Sequence, residues 1–121
     1  MIGPIDRNLN TTAVEEKLGL NPAGGVDIDV PLAGKTVISN VPCIHASEIV
    51  VMVSTLLNKI KHVYLDIYGA SRTIVVTVDL GSVAVGTSAL FKYTGGAGQT
   101  YDVRVEPEVG ATVVKAWTCA R

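Results

Sequence analysis

Cysteine is nearly absent from this chain. Cys43 and Cys119 stand far apart, with neither the paired spacing of a zinc site nor the density of a disulfide scaffold, so both are expected as reduced, buried, small apolar side chains. Histidine is equally scarce. His45 and His62 belong to no H-E-x-x-H motif, and the linear spacing of His45, Glu48, His62 and Asp66 promises no convergence on a metal. There is no G-x-S-x-G elbow and no Cys-Gly-Ser-Cys-like segment around either cysteine, which leaves nucleophilic catalysis without a nucleophile. Gly95-Gly96-Ala97-Gly98 lacks the Lys and the Ser or Thr that complete a phosphate-binding loop and opens no helix, so it reads as a hairpin tip. These absences point to a protein that is not an enzyme and that needs no cofactor and no metal.

Excess charge is missing too. Ten Lys and Arg balance eleven Asp and Glu, and the basic residues are scattered, so the footprint of a nucleic-acid binder is absent. The strongest apolar run, Ile49 to Leu57, is broken by Ser54 and Thr55 and falls short of the ~20 residues that cross a bilayer, which argues against a membrane partner. Met1 to Arg7 has neither the basic start nor the apolar middle of a secretion leader, so synthesis in the cytoplasm is expected.

What is present is apolar and ordered. Hydrophobic residues form 48% of the 121, charged ones 17%, and mean hydropathy is +0.39. That is the balance of one folded domain with more apolar surface than a small monomer readily exposes, so association with other subunits is expected.

Periodicity divides the chain at Gly25. In residues 1–25, Thr12 and Glu15 have the spacing of a capping box, and Gly19 and Pro22 supply a stop, predicting a short helix near 13–18 on a polar arm. Asn21-Pro22-Ala23-Gly24-Gly25 reads as a joint, and residues 26–121 then turn to period two. Val26, Ile28, Val30 and Leu32 alternate with polar residues or Pro31, and Lys35 to Val41 follows. Ser47 to Leu57 is apolar on both faces, as expected in the middle of a sheet. Ile60 to Tyr68 is expected to pair with it as a hairpin across Asn58-Lys59. Thr73 to Leu80, Ser82 to Val85 and Ser88 to Tyr93 come next, and Tyr101 to Glu106 is expected to pair with Ala111 to Cys119. Seven or eight strands with glycine-marked turns predict an all-β antiparallel β-sandwich, jelly-roll or immunoglobulin-like. No amphipathic helix separates the strands, which argues against a parallel α/β fold.

The one constellation that could bind a ligand is a row on the strand from Ile60 to Tyr68. His62, Tyr64, Asp66 and Tyr68 share the face opposite Val63, Leu65 and Ile67. Tyrosines offer stacking surface, and His with Asp offers hydrogen bonds or a proton switch. The same pattern is that of an ordinary solvated or subunit-facing strand face. With Tyr93 or Tyr101 the row would suit a carbohydrate-binding module, while His45, His62, Glu48 and Asp66 would be the groups of a small metal or acid–base enzyme. Trp117 shares its face with Val113, Lys115 and Cys119, and reads as core packing or an interface contact.

A polar arm ending in Asn21-Pro22-Ala23-Gly24-Gly25, followed by a glycine-punctuated apolar sandwich, resembles in its organisation the small structural proteins of tailed bacteriophage virions, such as head decoration, head fibre, neck or tail proteins. The resemblance implies a virion protein made in the host cytoplasm. It also implies a homo-oligomer that contacts other virion proteins, with the arm reaching onto a capsid or tail lattice.

Overall fold

A computed structural model describes residues 25–95 and 98–121. The arm, its helix at 13–18 and part of the Gly95–Gly98 tip lie outside the described residues.

Among the described residues eight strands follow one another: β1 (Ile28–Val30), β2 (Lys35–Pro42), β3 (Glu48–Thr55), β4 (Ile60–Tyr68), β5 (Ile74–Val83), β6 (Ser88–Thr94), β7 (Thr100–Pro107) and β8 (Thr112–Ala120), with a 3-10 turn at Ala70–Arg72. They form two four-stranded antiparallel sheets, ordered β1-β8-β3-β6 and β2-β7-β4-β5. Strand pairing is nested: β4 with β5, β3 with β6, β2 with β7 and β1 with β8. The chain is thus one long antiparallel hairpin with β4–β5 at its tip, rolled so that β3 also meets β8 and β4 also meets β7. This is the jelly roll, and it excludes the immunoglobulin-like alternative.

Several expected pairings differ from this. Ile60 to Tyr68 does not form a hairpin with the strand before it, because the chain crosses from one sheet to the other at Leu56–Lys59. The last two strands also lie in opposite sheets, with β7 between β2 and β4 and β8 between β1 and β3. Short turns and clean alternation are shared by hairpins and by sandwich corners, so the pattern alone does not separate them. Val26 and Leu32 fall outside β1, which Pro31 ends after three residues. Ser82 and Val83 continue β5 rather than starting another strand. The central place expected for Ser47 to Leu57 holds, since β3 lies between β8 and β6.

The core fills the space between the sheets. Ile49, Val51, Val53, Val114 and Ala116 face Ile60, Val63, Leu65, Ile67, Val103 and Val105, all buried. Tyr101 is the largest buried side chain, and its hydroxyl lies 2.6 Å from Thr118 Oγ1 of the opposite sheet. Thr118 spends its proton on Val50 O at 2.8 Å, so Tyr101 is the donor and the pair ties the two sheets together. Burial pushes the Tyr101 phenol far above the usual range, outweighing a smaller lowering by the Thr118 contact. Cys43 and Cys119 are free and buried, and Trp117 packs on the outer side of its sheet against Cys119 and Val50.

Candidate functional site

The row foreseen on β4 exists on the outer face of its sheet, and β7 and β5 complete it. Cross-strand register sets Tyr64 opposite Arg104, His62 opposite Glu106, and Asp66 opposite Asp102. On the other side Asp66 meets Thr77 and Tyr64 meets Asp79. Two carboxylates directly opposed would repel, and each is held by its own arginine. Arg104 Nε and Nη2 donate to Asp66 at 2.9 and 3.2 Å, and Thr77 Oγ1 adds a bond of 2.8 Å. Arg72 Nη2 donates to both Asp102 oxygens at 3.3 and 3.1 Å, and the Asn40 amide adds a third contact at 3.0 Å.

The same two arginines cover the tyrosines. The Arg104 guanidinium lies 4.4 Å from the centre of the Tyr64 ring, and that of Arg72 lies 3.8 Å from the Tyr68 ring. His62 stacks on Tyr64 with centroids 5.2 Å apart, while its Nδ1 lies 2.8 Å from Asp79. Burial raises the Asp66 carboxyl, but the Arg104 and Thr77 hydrogen bonds outweigh it and the net shift is downward. Arg104 is held still more firmly protonated, first by its bond to Asp66. Both tyrosines are raised, desolvation leading and neighbouring carboxylates adding to it.

His62, Tyr64, Asp66 and Tyr68 therefore come together, but in a lattice of mutually satisfied contacts. The remaining acid–base candidates do not join them. His45 sits in the β2–β3 connection, and Glu48 pairs with Arg121 at 2.9 Å. Among the described residues no three His, Cys, Asp or Glu side chains converge as metal ligands. Arg72, Asp102 and Arg104 carry half of the lattice and were not singled out from sequence. Only knowledge that β7 lies beside β4 would have found them.

A second surface lies at one end of the sandwich. The connections β1–β2, β3–β4, β5–β6 and β7–β8 all emerge there, as nested antiparallel pairing requires. Each carries exposed apolar side chains: Leu32, then Leu56 and Leu57 (64% and 61% exposed), Val85, and Val109 (72% exposed). The loops beneath them are firmly tied. Thr112 Oγ1 accepts the Leu57 and Asn58 amides at 3.0 Å each and lies 2.8 Å from Thr55 Oγ1. Thr55 donates to Asn58 O at 2.6 Å, and Asn58 Nδ2 donates to Ala111 O at 2.7 Å. Gly86 N reaches Thr55 O, and Glu108 N reaches Lys59 O, both at 3.0 Å. Val30, Pro31, Leu57, Ala111 and Val113 line a shallow hollow between the loops. From sequence, Leu32, Leu56, Leu57 and Val85 read as the ends of strands, and only Val109 as part of a connection, so this surface was missed.

Comparison with known proteins places the chain by shape alone. No family model and no curated protein matches it. Among solved structures it is similar to infectious bursal disease virus Gt strain (11% identity, TM-score 0.49, 84% of this chain and 33% of that one). It is also similar to the VP2 protein of that virus in T=1 particles (13% identity, TM-score 0.46, 81% of this chain and 30% of that one). A third likeness is to Bacillus endospore appendages that form disulfide-linked pili (18% identity, TM-score 0.30, 77% of this chain and 78% of that one). The chain spans about a third of the length of the viral chains it matches.

Proposed function

We propose that this chain is a non-enzymatic structural subunit of a virus particle, joining copies of itself and attaching to a capsid or tail lattice. The observation that carries the reading is the loop end. Large apolar side chains from four separate connections are held in water on a hydrogen-bonded platform, and clustered exposed apolar surface of this kind marks a contact site. A single end of the molecule that avoids water is suited to converge with other copies around a rotation axis, the arrangement of closed cyclic oligomers. The jelly roll agrees with this role without specifying it, since viral capsid and lectin domains share it.

Sugar stacking on Tyr64 and Tyr68 is not favoured. A guanidinium lies over each ring, and His62 also stacks on Tyr64.

The test is sedimentation velocity of the full chain over a wide concentration range, beside the double variant Leu56→Asp, Leu57→Asp. The expected result is an assembly larger than a dimer that the double variant loses while its far-UV circular dichroism stays unchanged. A wild-type chain that never exceeds a dimer would overturn the reading.

A further inference from the structure

The outer face of an antiparallel sheet is open to water unless a further layer covers it. On the sheet β1-β8-β3-β6, Val50 and Cys119 stand opposite each other on that outer face, while their neighbours Ile49, Val51 and Thr118 point inward. Both are nevertheless out of water, at 1% and 0% exposure. Among the described residues, the apolar side chain packed on them is Trp117. The indole is thus the outermost described layer at this point, and its polar edge would be expected in water. It is not: Trp117 Nε1 is buried and has no hydrogen-bond partner among the described residues, whereas a buried indole N–H ordinarily finds an acceptor. Met52 stands opposite Trp117 on one side and Leu90 on the other, so an apolar strip crosses β8, β3 and β6 and ends at the half-exposed Leu90.

We propose that the segment before β1, residues 18–24, crosses this outer face as a third layer of the same chain. Leu18 and Leu20 seat on the strip of Trp117, Met52 and Leu90, and a carbonyl of residues 21–24 accepts the Trp117 Nε1–H. Several observations select the chain's own segment as the occupant. Val50, Cys119 and the indole N–H are already out of water in a single chain, so no second copy is needed to cover them. The segment also starts in the right place. The Gly25 amide donates to Ala116 O at 2.8 Å, one residue from Trp117, and the antiparallel run of β1 on β8 carries the chain upstream toward Cys119. Gly25 has φ 84°, a left-handed conformation that turns the chain out of the line of β1. Reach is sufficient. Leu20 stands five residues before Gly25, and that length of extended chain spans roughly 16–18 Å. From β8 to β6 is two strand spacings, about 10 Å. Between them, Pro22 has no N–H to leave unpaired against an apolar face, and Ala23 and Gly24 are small enough to lie flat beside the indole.

This inference concerns a different surface from the loop end and stands whether or not the chain assembles. Trp117 is the only tryptophan, so its fluorescence and its single indole N–H resonance report on this face alone. In the full wild-type chain the emission should be blue-shifted, weakly quenched by acrylamide and unchanged on dilution, and the indole N–H should exchange slowly with solvent. Leu18→Asp combined with Leu20→Asp should move the emission to the red, raise the quenching severalfold and speed the exchange, with unchanged far-UV circular dichroism. Leu90→Asp, on the other side of the contact, should act in the same direction. Combining it with the arm variant should add little, because both remove one contact. Where the aspartates unfold the chain, Leu20→Ser gives the same reading. An arm variant whose Trp117 stays blue-shifted and protected overturns the proposal, as does a wild-type Trp117 that is red-shifted at every concentration. Emission that moves to the red on dilution also overturns it and gives the face to a second copy.

Discussion

Arg104 meets three partners at once: the Asp66 carboxylate in a two-pronged bond, the Tyr64 ring beneath its plane, and water on its remaining side. Asp66 is almost fully buried and depends on that contact for its charge. Its folded pKa is depressed, so the stability it supplies is present above the unfolded value of about 3.9 and is lost as pH falls through the folded value. Arg104→Met leaves Asp66 with Thr77 alone, and we expect a loss of about 2–4 kcal/mol at pH 7, the scale of a buried carboxylate stripped of its cation. The loss of stability that Asp66 contributes in acid should also disappear, because burial then raises the folded Asp66 pKa and a carboxyl raised on folding gains stability as pH falls, so the two proteins should converge toward low pH. Urea titrations from pH 2 to 8 on both proteins check this, and a gap between them that stays constant with pH would show that Thr77 alone holds the carboxylate. Removing the same arginine uncovers Tyr64, so any gain in sugar affinity by the variant would show that the guanidinium blocks the ring.

At the scale of elements, period-two alternation was enough to locate most strands from β2 to β8 and to give the inner face of β4, while bulges break the period in β2 and β5 and Ser82 to Val85 proved to be the end of β5 and the turn after it. Val63, Leu65 and Ile67 alternate with His62, Tyr64, Asp66 and Tyr68 in the sequence and do so in space. Partnership was not legible, because alternation gives a face and never a neighbour. The row on β4 was therefore visible while its arginines on β7 and beside β5 were not. The β7–β8 connection, Glu108 to Ala111, looks like a hairpin turn, yet it carries the chain between sheets, and only long-range pairing of β7 with β2 distinguishes the two. The turn into β2 was legible for a local reason. Gly34 adopts φ +95°, and a Cβ built there would lie 3.0 Å from Val105 O, so both conformation and space require glycine. Gly34→Ala should cost about 1–3 kcal/mol, since strained backbone and a clash with a carbonyl act together. Thermal unfolding measures it, and a loss under 0.5 kcal/mol would mean the β1–β2 turn relaxes freely.

For the whole molecule, nesting has a kinetic consequence. Only β4 and β5 are neighbours both in sequence and in a sheet, and every other ladder joins strands separated by at least two intervening ones. Forming β1 against β8 first would close a loop of most of the chain for three pairs of residues, and closure entropy of that size precedes any gain from the contacts it permits. If β4–β5 forms first, it brings β3 near β6, and these bring β2 near β7, so each closure shortens the next. Folding should therefore be slow, in the range of milliseconds to seconds for a fold dominated by non-local pairs, and its transition state should be structured at the tip. Leu65→Ala, in the core of β4, is expected to slow folding with a φ-value above about 0.5. Val30→Ala, equally buried at the open end on β1, should leave the folding rate nearly unchanged and speed unfolding. Stopped-flow chevrons on the two variants decide it. A high value at Val30 with a low one at Leu65 would mean that the roll closes from its termini.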